Sequence, residues 1–357
     1  MFQILVINPG ATSTKIGWFE DDSCLFKETL RHSVEETAAE LDREEQARFR
    51  RRALLECLKD KGRELDKVSA IVVRGGLLRP LPSGTYLVDD AVYEDLIEAK
   101  YGWHASNLGT IIALPLAREK GIPVYTVDPV TVDEFAPLAH YSGLAGVPRR
   151  SMSHALNMKA VAHRASSGMG KSYKELNFVI VHLGSGTSVS AHYRGRMIDV
   201  NNANEEGPFS LERCGTLPAL GLVGLCYSGR YNRDEVVRLL TSKGGLYSYL
   251  GTKDFVSVQE AAGCGDEKAR ETAEAMAYQV AKEIGAMAAV LNGEVDRILI
   301  TGGMAHAEEF VEMIKHKVSF IAPVEVFAGE EELEALAAGA LRVLNGQEEA
   351  LSYQQDN

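Results

Sequence analysis

A strand, a turn of glycine and hydroxyl residues, and a returning strand open this chain, and the same unit recurs in its second half. The first copy is Ile4-Leu5-Val6-Ile7, then Asn8-Pro9-Gly10-Ala11-Thr12-Ser13-Thr14, then Lys15 to Phe19. The second is Asn177 to Leu183, then Gly184-Ser185-Gly186-Thr187-Ser188, then Val189 to Tyr193. Glycine lets backbone come close to a ligand, and amides with hydroxyls can surround phosphate oxygens. Asn, Pro and Gly also serve ordinary hairpins. A plain hairpin has no need of three consecutive hydroxyls followed by Lys15. The spacing is not that of a Walker A loop. Two such units in one chain point to two related domains facing each other across a cleft that grips a nucleotide.

The remaining pattern is α/β. Helical spacing of Phe49, Ala53, Leu54, Cys57 and Leu58 predicts a helix from about Asp42 to Lys61. Ser69 to Val73 and Ile122 to Asp128 read as strands, and Leu108 to Glu119 as a helix bent at Pro115. Gly195 to Val200 continues the second meander. Met276, Ala277, Val280, Ile284, Met287, Ala288 and Leu291 form one face of a helix over Glu271 to Leu291, and Gly293 lies just past its end. Arg297 to Thr301 is a strand entering Gly302-Gly303, and a last helix starts near Glu331. Strands alternating with helices imply a largely parallel or mixed sheet. The polar tail from Gln347 to Asn357 is expected to fray.

Charge decides which partners to consider. The formal net charge of −12 argues against nonspecific binding to nucleic acid or anionic membranes. The N-terminus lacks a basic segment followed by a cleavable apolar one, and no apolar run reaches the length of a membrane span. Five cysteines without a CxxC pair disfavour zinc or a disulfide framework. The expectation is a cytoplasmic protein without nucleic-acid or membrane partners.

Several arginines stand at turns. Arg74 precedes Gly75-Gly76, Arg149 and Arg150 follow Pro148, and Arg213 precedes Cys214-Gly215. Phosphoryl transfer needs cations beside the equatorial oxygens, and the guanidinium fork suits that task. The run Arg48-Phe49-Arg50-Arg51-Arg52, beside Glu44 and Glu45, reads instead as a solvated helix face. Gly302-Gly303-Met304, third in order after two phosphate turns, reads as the floor of an adenosine site.

With these residues in view the chain resembles the acetate and butyrate kinase family, and within it the butyrate or branched-chain fatty acid kinases. The resemblance spans nearly the whole length. It is carried by ILVINPGATSTKIG, VVRGGLLRPLPSGTY, HASNLG, GIPVYTVDPV, SHALNMKAVAHR, HLGSGTSVSAH, IDVNNANEEGPFSLERCGTLP, ILITGGMA and VSFIAPVEVF, in the family's order. It implies the fold of acetate and sugar kinases, heat-shock ATPases and actin: two related α/β domains with ATP in the interdomain cleft. The expected division is 1–152 plus 333–357 for the first domain and 153–332 for the second.

The resemblance also implies an activity: reversible transfer from ATP to a short-chain carboxylate, with butyrate or isobutyrate favoured, giving acyl phosphate and ADP; the alternatives are an acetate or propionate kinase, or a sugar kinase or nonenzymatic nucleotide-binding module of the same fold. It assigns catalytic parts to Arg213, Arg150, Asp128 and Lys15. Nucleotide contacts fall to Thr12, Ser13, His182, Gly184, Ser185, Gly186, Thr187, Gly302, Gly303 and Met304, carboxylate binding to Arg74, and Mg2+ to Asn8 and Glu331. A homo-oligomer, dimer or larger, is implied as well. The chain departs from acetate kinases where their substrate arginine falls near Ile71 and their transition-state histidine near Arg150, both as in butyrate kinases. It departs from butyrate kinases at Ser185 and Cys214, neither of which removes a charged group.

Overall fold

A computed structural model describes residues 1–33 and 42–354. They form two compact units, Met1–Val132 with the stretch from Glu331 onward, and Asp133–Glu330. The first unit contains β1 (Gln3–Pro9), β2 (Ser13–Glu20), β3 (Ser23–Arg31), β4 (Ala70–Val73), β5 (Thr85–Leu87) and β6 (Val124–Val127). The second contains β7 (Asn177–Leu183), β8 (Thr187–Tyr193), β9 (Arg196–Val200), β10 (Arg297–Gly302) and β11 (Val324–Ala328). The chain then returns to the first unit with the helix Glu332–Leu344 and β12 (Leu351–Ser352).

The first sheet runs β12-β5-β6-β4-β1-β2-β3 and the second β11-β10-β7-β8-β9. In the first, β1, β4 and β6 are parallel while β2 and β3 turn back antiparallel. In the second, β7, β10 and β11 are parallel while β8 and β9 turn back. Position by position, β6-β4-β1-β2-β3 matches β11-β10-β7-β8-β9 in order and direction. The repeated strand–turn–strand unit of the sequence is therefore the centre of a repeated sheet. Ile4 to Ile7 and Phe178 to Val181 are buried on both faces, as central strands covered by helices must be.

Helices follow their caps more closely than their apolar stripes. The long helix begins at Glu267, ahead of the expected Glu271, because the Asp266 carboxylate accepts from Ala269 N at 3.0 Å. Leu108–Lys120 runs through Pro115 and stops at Gly121 in the left-handed region. The helix Arg233–Thr241 opens on a capping box between Asn232 and Glu235. Its neighbour Ala219–Cys226 is apolar yet has no buried residue. Among the described residues no helix is long and apolar enough to cross a membrane.

Two expectations need correction. Arg48 and Arg52 are exposed, but Arg50 is only 1% exposed, because Ala47, Arg50, Leu54 and Leu58 share the inward face of Arg43–Asp60. The tail does not fray through residue 354. Leu351 and Ser352 pair in parallel with Tyr86 and Leu87, and the Tyr353 ring is buried with its hydroxyl donating to Asp95 Oδ2 at 2.6 Å. Arg79 donates to the Tyr353 carbonyl at 2.6 Å. Residues 355–357 of the expected fraying tail lie outside the described residues. Tyr353→Phe leaves a buried carboxylate short of a donor, so it is expected to cost about 1–2 kcal/mol of unfolding free energy. Denaturant titration at constant m-value checks this.

Candidate active site

Each unit gathers its candidate residues at the carboxyl ends of its parallel strands, where open α/β sheets characteristically leave a crevice for ligands. In the first unit these ends belong to β1, β4 and β6. Asn8 is the last residue but one of β1 and faces Lys15 across the β1–β2 pair. Arg74 follows β4 and Asp128 follows β6.

Asn8 and Arg74, both buried, meet on one acidic residue. Asn8 Nδ2 donates to Glu332 Oε2 at 2.7 Å, and Arg74 Nη1 bonds Glu332 Oε1. Glu332 is the first residue of the C-terminal helix, where the macrodipole favours a negative charge. Glu331, the acid expected from the sequence, is the exposed cap residue preceding it. The sequence does not single out Glu332, because three consecutive glutamates, 330 to 332, differ only by their angle around the helix start. The buried Leu333, Leu336, Ala337 and Ala340 fix that angle.

Asp128 lies in the left-handed region at φ 40°, which aspartate tolerates better than most residues. Its Oδ1 accepts from Ser83 Oγ at 2.6 Å and Gly84 N at 2.9 Å, and its own N–H donates to the Gly84 carbonyl at 3.1 Å. The carboxylate thus clasps the 83–84 loop to the end of β6. Asn107, fully buried, accepts from Leu77 N at 3.0 Å and so anchors the segment after Arg74. This accounts for the HASNLG motif.

The first turn exposes Thr12 and Lys15, with Ser13 half-buried. Its carbonyls point the other way. Thr12 O accepts from His32 N at 2.9 Å, and Ser13 O from Gly10 N at 2.8 Å.

In the second unit the ends of β7 and β10 lie side by side, Thr301 opposite His182. His182 is buried and held on both ring nitrogens. Its Nδ1 lies 2.9 Å from Asn157 Oδ1, and its Nε2 lies 3.1 Å from Glu330 Oε1. The His154 ring stacks on it at 3.8 Å between centroids. The SHALNMKAVAHR motif therefore supplies His154 and Asn157 as supports for His182.

Beyond it, Gly184 N donates to Gly186 O at 3.1 Å, Ser185 is exposed at the tip, and Thr187 is buried. Asn201 braces the turn by accepting from Val189 N at 2.6 Å and donating to Thr187 O at 2.9 Å. Ser210 Oγ donates to Ser185 O at 2.5 Å. A Cβ on Gly186 would lie 2.4 Å from Arg213 Nη1, so the Arg213 guanidinium rests directly on the turn. Burial pushes the Arg213 pKa down. At Gly302, φ is 95° and a Cβ would lie 2.3 Å from Leu183 O. Glycine is required there for both conformation and space, which seats Gly302-Gly303 and the buried Met304 against the second turn.

The two arginines after Pro148 separate. Arg150 is exposed. Arg149 is a structural brace, donating to Glu206 Oε2 at 2.9 Å, Asp199 Oδ1 at 3.0 Å, and the carbonyls of Ala139 and Val200 at 2.9 and 3.1 Å.

Comparison with known proteins decides the family. A family model described as the acetokinase family matches residues 137–332. Butyrate kinase 2 of Clostridium acetobutylicum is 50% identical over 353 residues, covering 99% of each chain. The chain belongs to the acetokinase family. Butyrate kinase 1 of the same organism is 49% identical over 354 residues, 99% of this chain and 100% of the other. Among solved structures, Porphyromonas gingivalis acetate kinase superposes with a TM-score of 0.80 at 19% identity, over 96% of this chain and 100% of that one. A propionate kinase from Francisella tularensis superposes at 0.73 and 20% identity, over 95% and 99%. At such identities these two speak for the fold, which is the two-domain α/β fold implied by the sequence. This acetokinase-family chain thus carries its glycine turns, buried histidine and buried arginine on a framework shared well beyond its sequence relatives.

Proposed function

We propose that the protein transfers the γ-phosphoryl group of ATP reversibly to a short-chain carboxylate, butyrate or isobutyrate, giving acyl phosphate and ADP. Near-full-length identity of about one half to two butyrate kinases carries this reading. A carboxylate oxygen forms the new P–O bond as the bond to the β,γ-bridging oxygen breaks. The acceptor is already ionised near neutral pH, its pKa being about 4, so the reaction needs alignment and charge stabilisation rather than a strong base. That suits Asp128, whose Oδ1 is already engaged with Ser83 and Gly84. Its part is to hold its loop. Arg74 orients the acid, and Arg213 and Arg150 stabilise the transferring group, with Lys15 beside the first turn. Thr12, Ser13, His182 to Thr187, and Gly302 to Met304 are the nucleotide contacts.

Mg2+ fits the donor chemistry at the end of β1. The Asn8 amide oxygen and an acid from the Glu331–Glu332 pair are hard oxygen donors, and Mg2+ ordinarily keeps several waters and takes few protein ligands. Bound there, the ion would neutralise phosphate charge. We infer a cytoplasmic homo-oligomer, and the exposed apolar helix Ala219–Cys226 supports self-association.

A hydroxamate assay for acyl phosphate over acetate, propionate, butyrate, isobutyrate and valerate, with glucose as a control acceptor, tests the reading. Expected is the highest kcat/KM with butyrate or isobutyrate. A maximum at acetate would reassign the acceptor, and turnover of glucose alone would overturn carboxylate transfer.

A further inference from the structure

The Arg50 guanidinium is enclosed by the first turn. Nη1 donates to Gly10 O at 3.0 Å, Ser13 O at 2.8 Å and Thr14 Oγ1 at 3.0 Å, and Nη2 donates to Ala11 O at 2.8 Å. With His32 N on Thr12 O, every carbonyl from Gly10 to Ser13 is turned inward. No carboxylate stands within ion-pair distance of Arg50 among the described residues, and its Nε has no hydrogen-bond partner. A buried cation balanced only by neutral dipoles is costly. Burial accordingly lowers the Arg50 pKa to about 10. Simple turn-bracing does not demand a full charge, since Asn201 braces the second turn with a neutral amide.

We propose that Arg50 is a positioning residue whose buried charge and fork-shaped donor set hold the Asn8–Lys15 turn ready for a phosphoryl group, and that this group supplies the counter-charge that no described residue gives it. The inference rests on the phosphotransfer reading above. The phosphoryl group belongs either to the nucleotide or to the acyl phosphate, both of which present the same oxygens.

The test uses the full chain with Arg50→Gln, which keeps donors without charge, and Arg50→Lys, which keeps charge on a single nitrogen. Far-UV circular dichroism establishes folding. Calorimetric titration with Mg·ADP and steady-state kinetics with butyryl phosphate are the two arms. Arg50→Gln is expected to weaken one arm by about tenfold or more, the loss of one charge-assisted interaction, and Arg50→Lys by a few-fold. The butyrate KM is expected to stay within about twofold, since uniform binding of the acid is untouched. Weakening of ADP alone assigns the nucleotide, and of butyryl phosphate alone the acyl phosphate. Wild-type values in both arms for a folded Arg50→Gln overturn the proposal. If that variant does not fold, wild-type values in both arms for Arg50→Lys overturn it equally. A wild-type protein that binds Mg·ADP but forms no hydroxamate refutes the phosphotransfer reading instead, and does so without either variant.

Discussion

Arg213→Ala is expected to lower kcat by about 10³-fold or more, the scale of arginine contacts to a transferring phosphoryl group, while the Kd for Mg·ATP changes far less. The expectation follows from where the side chain lies. It rests on Gly186 at the tip of the second turn, and Ser210, whose Oγ accepts from Arg213 N at 3.3 Å, also donates to Ser185 O. A cation so placed stabilises charge that develops during transfer rather than charge present in the ground state. Gly186→Ala gives an independent check. Its methyl group would meet the Arg213 guanidinium at 2.4 Å and must displace it. It should therefore reproduce part of the kcat loss with Arg213 intact. Near-normal turnover in both folded variants would remove Arg213 from the chemistry.

Glu332→Gln carries the second large expectation, a loss of about 100-fold in kcat/KM, the penalty for misplacing reacting groups by roughly an ångström. Glu332 binds Asn8 and Arg74 together, so its loss should appear twice: as a higher Mg2+ concentration at half-maximal rate and as a higher carboxylate KM. Glu331→Gln is the comparison. Glu331 is exposed at the helix start, where its charge contributes a favourable helix-dipole interaction of about 0.3–1 kcal/mol. Its kinetics should stay near wild type. A shifted Mg2+ titration in Glu331→Gln with none in Glu332→Gln would reverse the assignment.

Residues whose place follows from local pattern were legible in the sequence. Ile4 to Ile7 and Phe178 to Val181 could only be central strands, and the glycines between strands marked where backbone had to turn. What escaped depended on long-range packing. Glu332 lies 324 residues from Asn8 along the chain, and nothing near either residue signals the pairing. Arg50 sat in a run of like charges that ordinarily means solvent. The one hint was its helical spacing with Ala47 and Leu54. Arg149 and Arg150 were indistinguishable as neighbours after a proline, and only tertiary contacts made one a brace and left the other exposed. Edge strand β3 shows mostly alternating exposure with Lys27, Glu28 and Arg31, a polar pattern that hides a strand while guarding the edge.

The division of the chain has a consequence for its synthesis. Asp133–Glu330 is one uninterrupted stretch, whereas the other unit needs Met1–Val132 and the residues from Glu331 onward. On a ribosome the N-terminal sheet emerges first, but the helix that carries Glu332 emerges only after the whole of Asp133–Glu330. Domains ordinarily fold as units in the order they appear. Here the earlier-made unit must wait, with Arg74 and Asn8 lacking Glu332, until all of the other unit has been made, while the later-made one can complete itself. The pairing of Asn8 and Arg74 with Glu332 therefore forms only after the second unit has been made, and a ribosome stalled before residue 331 would release a chain whose second unit is whole and whose first is not.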